Sequence, residues 1–188
     1  ESEDDPKTSG NGKFLMSADN IADKCNVGSF LVDAPPHNSE YFSAQLKSAA
    51  NYYRNVSNDF VDFNEYLVLD SLYTVDSLMS YYGQGDSYLV KFFNETVAMA
   101  SEDLQELLLN SNIDSYLLVI FHAGLGQDFS VPFLDPTTED LKSAYIDSDM
   151  LDVFNLPVIS NVSINKGILL PETQNFIFYD VVEDILKK

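Results

Sequence analysis

Six apolar residues in a row, Tyr116-Leu117-Leu118-Val119-Ile120-Phe121, set the narrowest limit on what this chain can fold into. A run with no polar side chain is what a strand covered on both faces requires, and such strands belong to sheets flanked by helices. The preceding stretch agrees. Asp86 or Ser87 can cap a helix whose inner stripe is Leu89, Phe92, Phe93, Val97, Ala100, Leu104, Leu107 and Leu108, ending near Asn110. Earlier, after Pro35-Pro36, Asn38 or Ser39 can cap a helix over 39–56, with Phe42, Leu46, Ala49, Ala50 and Tyr53 at helical spacing. Phe60 to Leu69 mixes alternation with a terminal apolar run and reads as a strand. Phe14-Leu15-Met16 and Phe30-Leu31-Val32 are the two candidates for a first strand.

Strand, helix, strand, helix, strand spells two right-handed βαβ crossovers. The expected class is therefore α/β: a mostly parallel or mixed twisted sheet with helices packed on its faces. Residues 70–85, with Met79, Tyr81, Tyr82, Gly83 and Gly85, read as an aromatic loop. Beyond Ala123, Pro132, Pro136, Pro157 and Pro171 interrupt the periodicity. A helix near 138–153, apolar strings at 167–170 and 176–182, and an irregular carboxyl-terminal third of loop and edge are expected there. The 188 residues, 45% of them apolar, suit a single packed domain over 13–188. Residues 1–12 contain no apolar side chain and read as a disordered acidic lead-in.

Ten Lys and Arg against 30 Asp and Glu give a formal charge of minus 20. That field repels phosphate backbones and anionic lipid, so neither nucleic acid nor a membrane surface is an expected partner. Excess acid of this kind suits a saline or calcium-rich exterior, or simply a well-solvated surface. No run approaches the roughly 18 apolar residues that span a bilayer. Cys25 stands alone, which excludes an internal disulfide and any zinc site built on paired thiolates.

His37 falls in the Pro-Pro turn, and His122 at the end of the apolar strand. Ligands in parallel sheets bind beyond the carboxyl ends of the strands, so His122, Gly124, Gly126 and Gln127 are the candidate ligand-binding residues. A hydrogen-bonded structural role is the alternative for both histidines. Gly124-Leu125-Gly126 lacks the third glycine of a dinucleotide loop and opens no helix. No serine sits in a Gly-x-Ser-x-Gly elbow. Asp147, Asp149 and Asp152 form an acidic cluster without the glycine and the terminal glutamate of an EF-hand, which leaves a loose calcium site at Asp147 and Asp149 as one reading beside a solvated acidic face. No His-Glu-x-x-His occurs.

Five strings stand in a suggestive order: Gly10-Asn11-Gly12-Lys13-Phe14-Leu15; Pro35-Pro36-His37-Asn38 with Tyr41-Phe42; Ala50-Asn51-Tyr52-Tyr53 with Val56-Ser57; Met79-Ser80-Tyr81-Tyr82; and Phe121-His122-Ala123-Gly124-Leu125-Gly126-Gln127-Asp128-Phe129. From about Gly10 to Glu172 the chain resembles secreted bacterial metallopeptidases similar to immune inhibitor A. The resemblance implies a zincin-like amino-terminal subdomain, followed in that family by a helix bearing His-Glu-x-x-His and a smaller carboxyl-terminal half. The chain stops at Lys188 before any such helix, so no zinc ligand carries over to a residue here. The expectation is a scaffold without catalytic residues or cofactor of its own, zinc belonging to a full-length parent. A secreted, extracellular or periplasmic location follows from the resemblance, as does pairing with the missing carboxyl-terminal half or self-association. Two other readings stand: an extracellular protein- or glycan-binding module using Tyr73, Tyr81 and Tyr82, and an unrelated flavodoxin-like small-ligand binder.

Overall fold

A computed structural model describes residues 7–17, 33–63, 65–110, 116–128, 137–152, 158–159, 162–164 and 166–174. The chain divides into two compact units, Leu15–Leu72 and the combination of Glu1–Phe14 with Tyr73–Lys188. The smaller unit is thus inserted into the sequence of the larger.

In the smaller unit, α1 spans Ser39–Val56, as the apolar spacing predicts. Asn38 caps it: its side-chain oxygen accepts from the Tyr41 amide at 3.1 Å, satisfying one of the free donors of the first turn. Phe42 and Ala50 are its buried residues, whereas Tyr53 is exposed. His37 is structural here. It is buried, its ring stacks on Tyr41 at 4.2 Å, its Nε2 lies 2.8 Å from the Asp33 carbonyl, and its amide donates to Leu15. Replacing Asn38 with alanine should cost about 1 kcal/mol, read as a lower urea midpoint with unchanged slope.

The expected strand over 60–69 does not form; its described residues carry no strand pairing. Asn58 and Asp59, both at positive φ, turn the chain back at the end of α1. Ser57 Oγ then accepts from the Val61 amide at 2.8 Å, and the Arg54 guanidinium holds Asp62. Phe60, Phe63 and Tyr66 are left exposed. Alternation is necessary for a half-buried strand, but a neighbouring edge must also be available, and a segment pinned to the end of its own helix finds none among the described residues. Phe14-Leu15-Met16 is not a strand either, and Phe30-Leu31-Val32 lies outside the described residues.

In the larger unit the expected aromatic loop contains a one-turn helix, α2, Met79–Tyr82. After Gly83 and Gly85 come α3, Asp86–Met99, and α4, Ser101–Asn110. One continuous helix was the expectation; the ladder instead breaks at Ala100, whose amide still reaches Thr96 and whose carbonyl accepts from Leu104. The N-cap is Gly85 rather than Asp86 or Ser87, with Tyr88 and Leu89 donating to its carbonyl. Leu89, Val90, Phe92, Phe93, Val97, Ala100 and Leu104 are buried, so the inner stripe stands apart from the half-buried Leu107 and Leu108. Tyr82 is 1% exposed, meets Phe92 edge-on at 5.2 Å, and donates its hydroxyl to Glu95.

The apolar run becomes β1, Leu118–Leu125. Next come β2, Ala144–Ile146, a short helix α5, Ser148–Asp152, the two-residue strands β3, Val158–Ile159, and β4, Val162–Ser163, and finally β5, Gly167–Thr173. β1 pairs parallel with β5, from Leu118 opposite Gly167 to His122 opposite Pro171, with a register shift before Leu125 opposite Thr173. β2 runs antiparallel on the other side of β5, and β3 pairs antiparallel with β4. The class is α/β, with a small mixed three-stranded sheet in the order β1-β5-β2.

Three expectations change. The central strand of that sheet is β5, from the third read as loop and edge, and β1 lies beside it at the sheet's border among the described residues. The helix expected over 138–153 reduces to α5, because Ala144–Ile146 is drawn into the sheet by β5 and Asp147 restarts the chain as a cap, its Oδ1 accepting from the Met150 amide at 3.0 Å. The two crossovers are not seen among the described residues, since the parallel partner of β1 follows it in sequence. The apolar string at 176–182 lies outside the described residues.

Candidate functional site

The carboxyl ends of β1 and β5 lie side by side, and the sequence candidates collect there. His122 is buried. Its Nδ1 lies 3.0 Å from the Ala123 carbonyl, and its Nε2 is enclosed with no hydrogen-bond partner among the described residues. Phe92 stands perpendicular to the imidazole at 6.4 Å. Burial lowers the imidazole pKa from 6.5 to about 4, against the opposing pull of the Ala123 carbonyl, Asp128 and Glu172. At neutral pH the ring is therefore uncharged.

Gly124 occupies the left-handed region, φ 85°, where only glycine is free of a Cβ penalty. Its amide donates to Glu172 Oε2 at 2.9 Å, a buried carboxylate supplied by β5. A Cβ here would stand 3.0 Å from Ser9 Oγ, 3.1 Å from Ser9 O and 3.5 Å from Met79 Cε. The Leu125 amide donates to Ser9 Oγ at 2.7 Å. Ser9 in turn donates its amide to Asp140 Oδ1 at 2.7 Å and places its hydroxyl 3.1 Å from the same oxygen. Ser9 and Asp140 are both buried. The stretch read as a lead-in therefore contributes a buried anchor, held by hydrogen bonds rather than by apolar contact.

Around this core the crest is closed by further polar contacts. Gly126 is hemmed in by Asp128, Gln174 and Pro171, each within 2.9 Å of where a Cβ would sit. The Gln127 amide donates to the Leu141 carbonyl. Asp128 accepts from the Ser143 amide at 2.7 Å, from the Ser143 hydroxyl at 2.6 Å and from Gln174. Ser143 thus donates to a carboxylate rather than to an imidazole.

The structure places His122, Gly124, Gly126 and Gln127 in one crest, where the imidazole is buried, the Gly124 amide is held by Glu172 and the Gln127 amide by Leu141. Ser9, Asp140, Glu172, Asp128 and Ser143 complete that crest, and the sequence reading named none of them as site residues. Nothing local distinguishes a buried aspartate from a solvated one; burial is decided by partners more than a hundred positions away. Asp147 and Asp149 do not join the crest: Asp147 caps α5 and Asp149 lies exposed in its first turn. Among the described residues no group of three His, Cys, Asp or Glu side chains is placed to hold a metal ion. No described helix is long and apolar enough to cross a membrane.

The chain matches no protein-family model, no curated protein and no solved structure.

Proposed function

We propose that this chain is the non-catalytic amino-terminal scaffold portion of a secreted zinc peptidase similar to the immune inhibitor A family. The zinc and its His-Glu-x-x-His helix would be supplied by another part of the parent protein. One observation carries the reading. Two of the five strings behind the resemblance meet at Gly124: Met79 opens Met79-Ser80-Tyr81-Tyr82 and faces the glycine of the His122–Gln127 loop, against which Ser9, the residue before Gly10-Asn11-Gly12, also lies. The buried hydrogen bonds that tie Ser9 to Asp140 and Leu125 support a scaffold reading, since those polar groups are spent on distant parts of the chain.

The chain's own imidazoles do not fit the zinc site the resemblance implies. His37 is committed to Tyr41 and Asp33, and His122 is buried in a crest where no three-ligand group exists among the described residues. No step of peptide hydrolysis is therefore assigned to this chain. Of the three tyrosines of the protein- or glycan-binding alternative, Tyr82 is buried, the hydroxyls of Tyr73 and Tyr82 donate to Asp103 and Glu95, and half-buried Tyr81 accepts from the Lys91 ammonium at 2.7 Å.

The test is direct. The 188-residue chain is incubated with zinc and an unstructured protein; no cleavage that a chelator abolishes is expected. Such cleavage would overturn the proposal. A version extended along the parent reading frame is expected to acquire His-Glu-x-x-His and, with it, chelator-sensitive cleavage. A frame that ends without that motif would favour a binding module instead.

A further inference from the structure

The segment around Ser9 is held as a peptide ligand would be, which points to a binding site that the scaffold reading does not require. Its contacts form a set. The Lys7 carbonyl accepts from the Glu139 amide at 3.0 Å, and the Lys7 ammonium meets Glu139 Oε1 at 2.9 Å. Two residues on, the Ser9 amide donates to buried Asp140 at 2.7 Å. The Ser9 hydroxyl lies between Asp140 Oδ1 and the Leu125 amide, where it can donate to the first and accept from the second. The Ser9 backbone lies close against Gly124, where a side chain would intrude. Recognition thus runs through backbone amides, one buried carboxylate and one half-buried carboxylate. These are the elements that read a bent peptide with a cationic residue two places before a hydroxyl residue.

The chain joining this segment to the rest of its unit is Leu15–Leu72, the whole of the smaller unit. Between Ser9 and its partners Leu125 and Asp140 lie 116 and 131 sequence positions. The segment is accordingly held in its seat by the contacts just described, not by a short covalent turn.

We propose that the crest formed by Gly124–Leu125 and Glu139–Asp140 is a peptide-binding seat for a bent Lys-x-Ser segment, filled in cis by Lys7–Ser9 and able to take the same segment in trans from a second copy of this chain. The cis segment competes at the high effective concentration of a tethered ligand, so added peptide binds the native chain weakly. Weakening the cis segment without touching the seat exposes the intrinsic affinity.

The experiment titrates a synthetic peptide, Asp-Pro-Lys-Thr-Ser-Gly-Asn-Gly, into the full chain and into Ser9→Ala, following the Leu125 amide resonance and the near-UV circular dichroism. Removing the hydroxyl deletes two contacts of the cis segment, one of them to a charged group, so Ser9→Ala should bind the peptide at least about tenfold more tightly than the native chain. The same peptide with its serine changed to alanine should show no comparable gain. If Ser9→Ala fails to fold, Lys7→Asp replaces it: that exposed substitution repels Glu139 and leaves every buried contact in place, and it should shift peptide affinity in the same direction. Equal affinity for native chain and folded variant, or equal binding of the serine and alanine peptides, overturns the proposal. This outcome is independent of the peptidase assay above, since the seat needs no zinc and no downstream sequence.

Discussion

Replacing Gly83 with alanine should destabilise the larger unit by about 3 kcal/mol or more, the upper end of what overpacking a rigid site costs. Gly83 closes α2 at an ordinary negative φ, so conformational freedom is not the reason for glycine there. The reason is close approach. A Cβ would stand 2.0 Å from the Glu139 carbonyl oxygen and 2.7 Å from its carbon. Real contacts do not reach such distances, and the obstacle is backbone rather than the end of a flexible side chain. The stretch that must move is the one whose next residue, Asp140, is buried and holds Ser9. In a unit of this size the thermal midpoint should fall by roughly 10 °C, and the drop should exceed that of a surface glycine substitution such as Gly12→Ala by a wide margin. A midpoint within about 2 °C of native would show that the two segments are not packed as described.

Acidification should destabilise the fold through His122. The unfolded chain takes up a proton on this imidazole near pH 6.5, whereas the folded chain resists it until about pH 4. Within that window the unfolded state binds more protons, so stability rises with pH and is lost progressively as pH falls from 6.5 toward 4. The gap corresponds to about 3 kcal/mol over the whole window. Other carboxylates titrate in the same range, so the informative quantity is the difference between the native chain and His122→Asn. Asparagine keeps a nitrogen donor near the Ala123 carbonyl but carries no titrating ring. Urea unfolding at pH 7 and pH 4.5 should show a markedly smaller acid loss for the variant than for the native chain. Equal losses would mean that the imidazole is solvated in the native state.

The helices were the most legible part of the fold, and the reason is local. α1 begins and ends where the Asn38 cap and the apolar spacing place it, because a helix satisfies its backbone within a single segment. The stripe from Leu89 to Leu104 is buried as read, although the break at Ala100 and the cap at Gly85 were not legible from the same residues. Strands were legible only as candidates. Tyr116–Phe121 does supply β1, yet Phe60–Leu69, with an equally good pattern, forms no strand pairing among its described residues. A strand's backbone groups are satisfied by another segment, and a single segment's pattern does not say whether that partner arrives.

The crest follows the same division. Its glycines and histidine stand out in the sequence because glycine pairs and strand-end histidines are rare and mark positions of close approach or polar burial. Ser9, Asp140 and Glu172 do not stand out: among 30 acidic residues, these two carboxylates carry no signal until folding takes them out of water.

What the sequence determined by itself was the α/β class, the helical segments, the acidic excess, and the lack of a His-Glu-x-x-His pair. Each depends on composition or on spacing within a few turns. Tertiary structure alone decided that β5 is the middle strand, that Ser9 is buried against Gly124 and Asp140, and that His122 is enclosed and neutral. These depend on contacts between residues separated by tens to more than a hundred positions, and their energies come from desolvation and hydrogen bonding that exist only once the distant partner is in place.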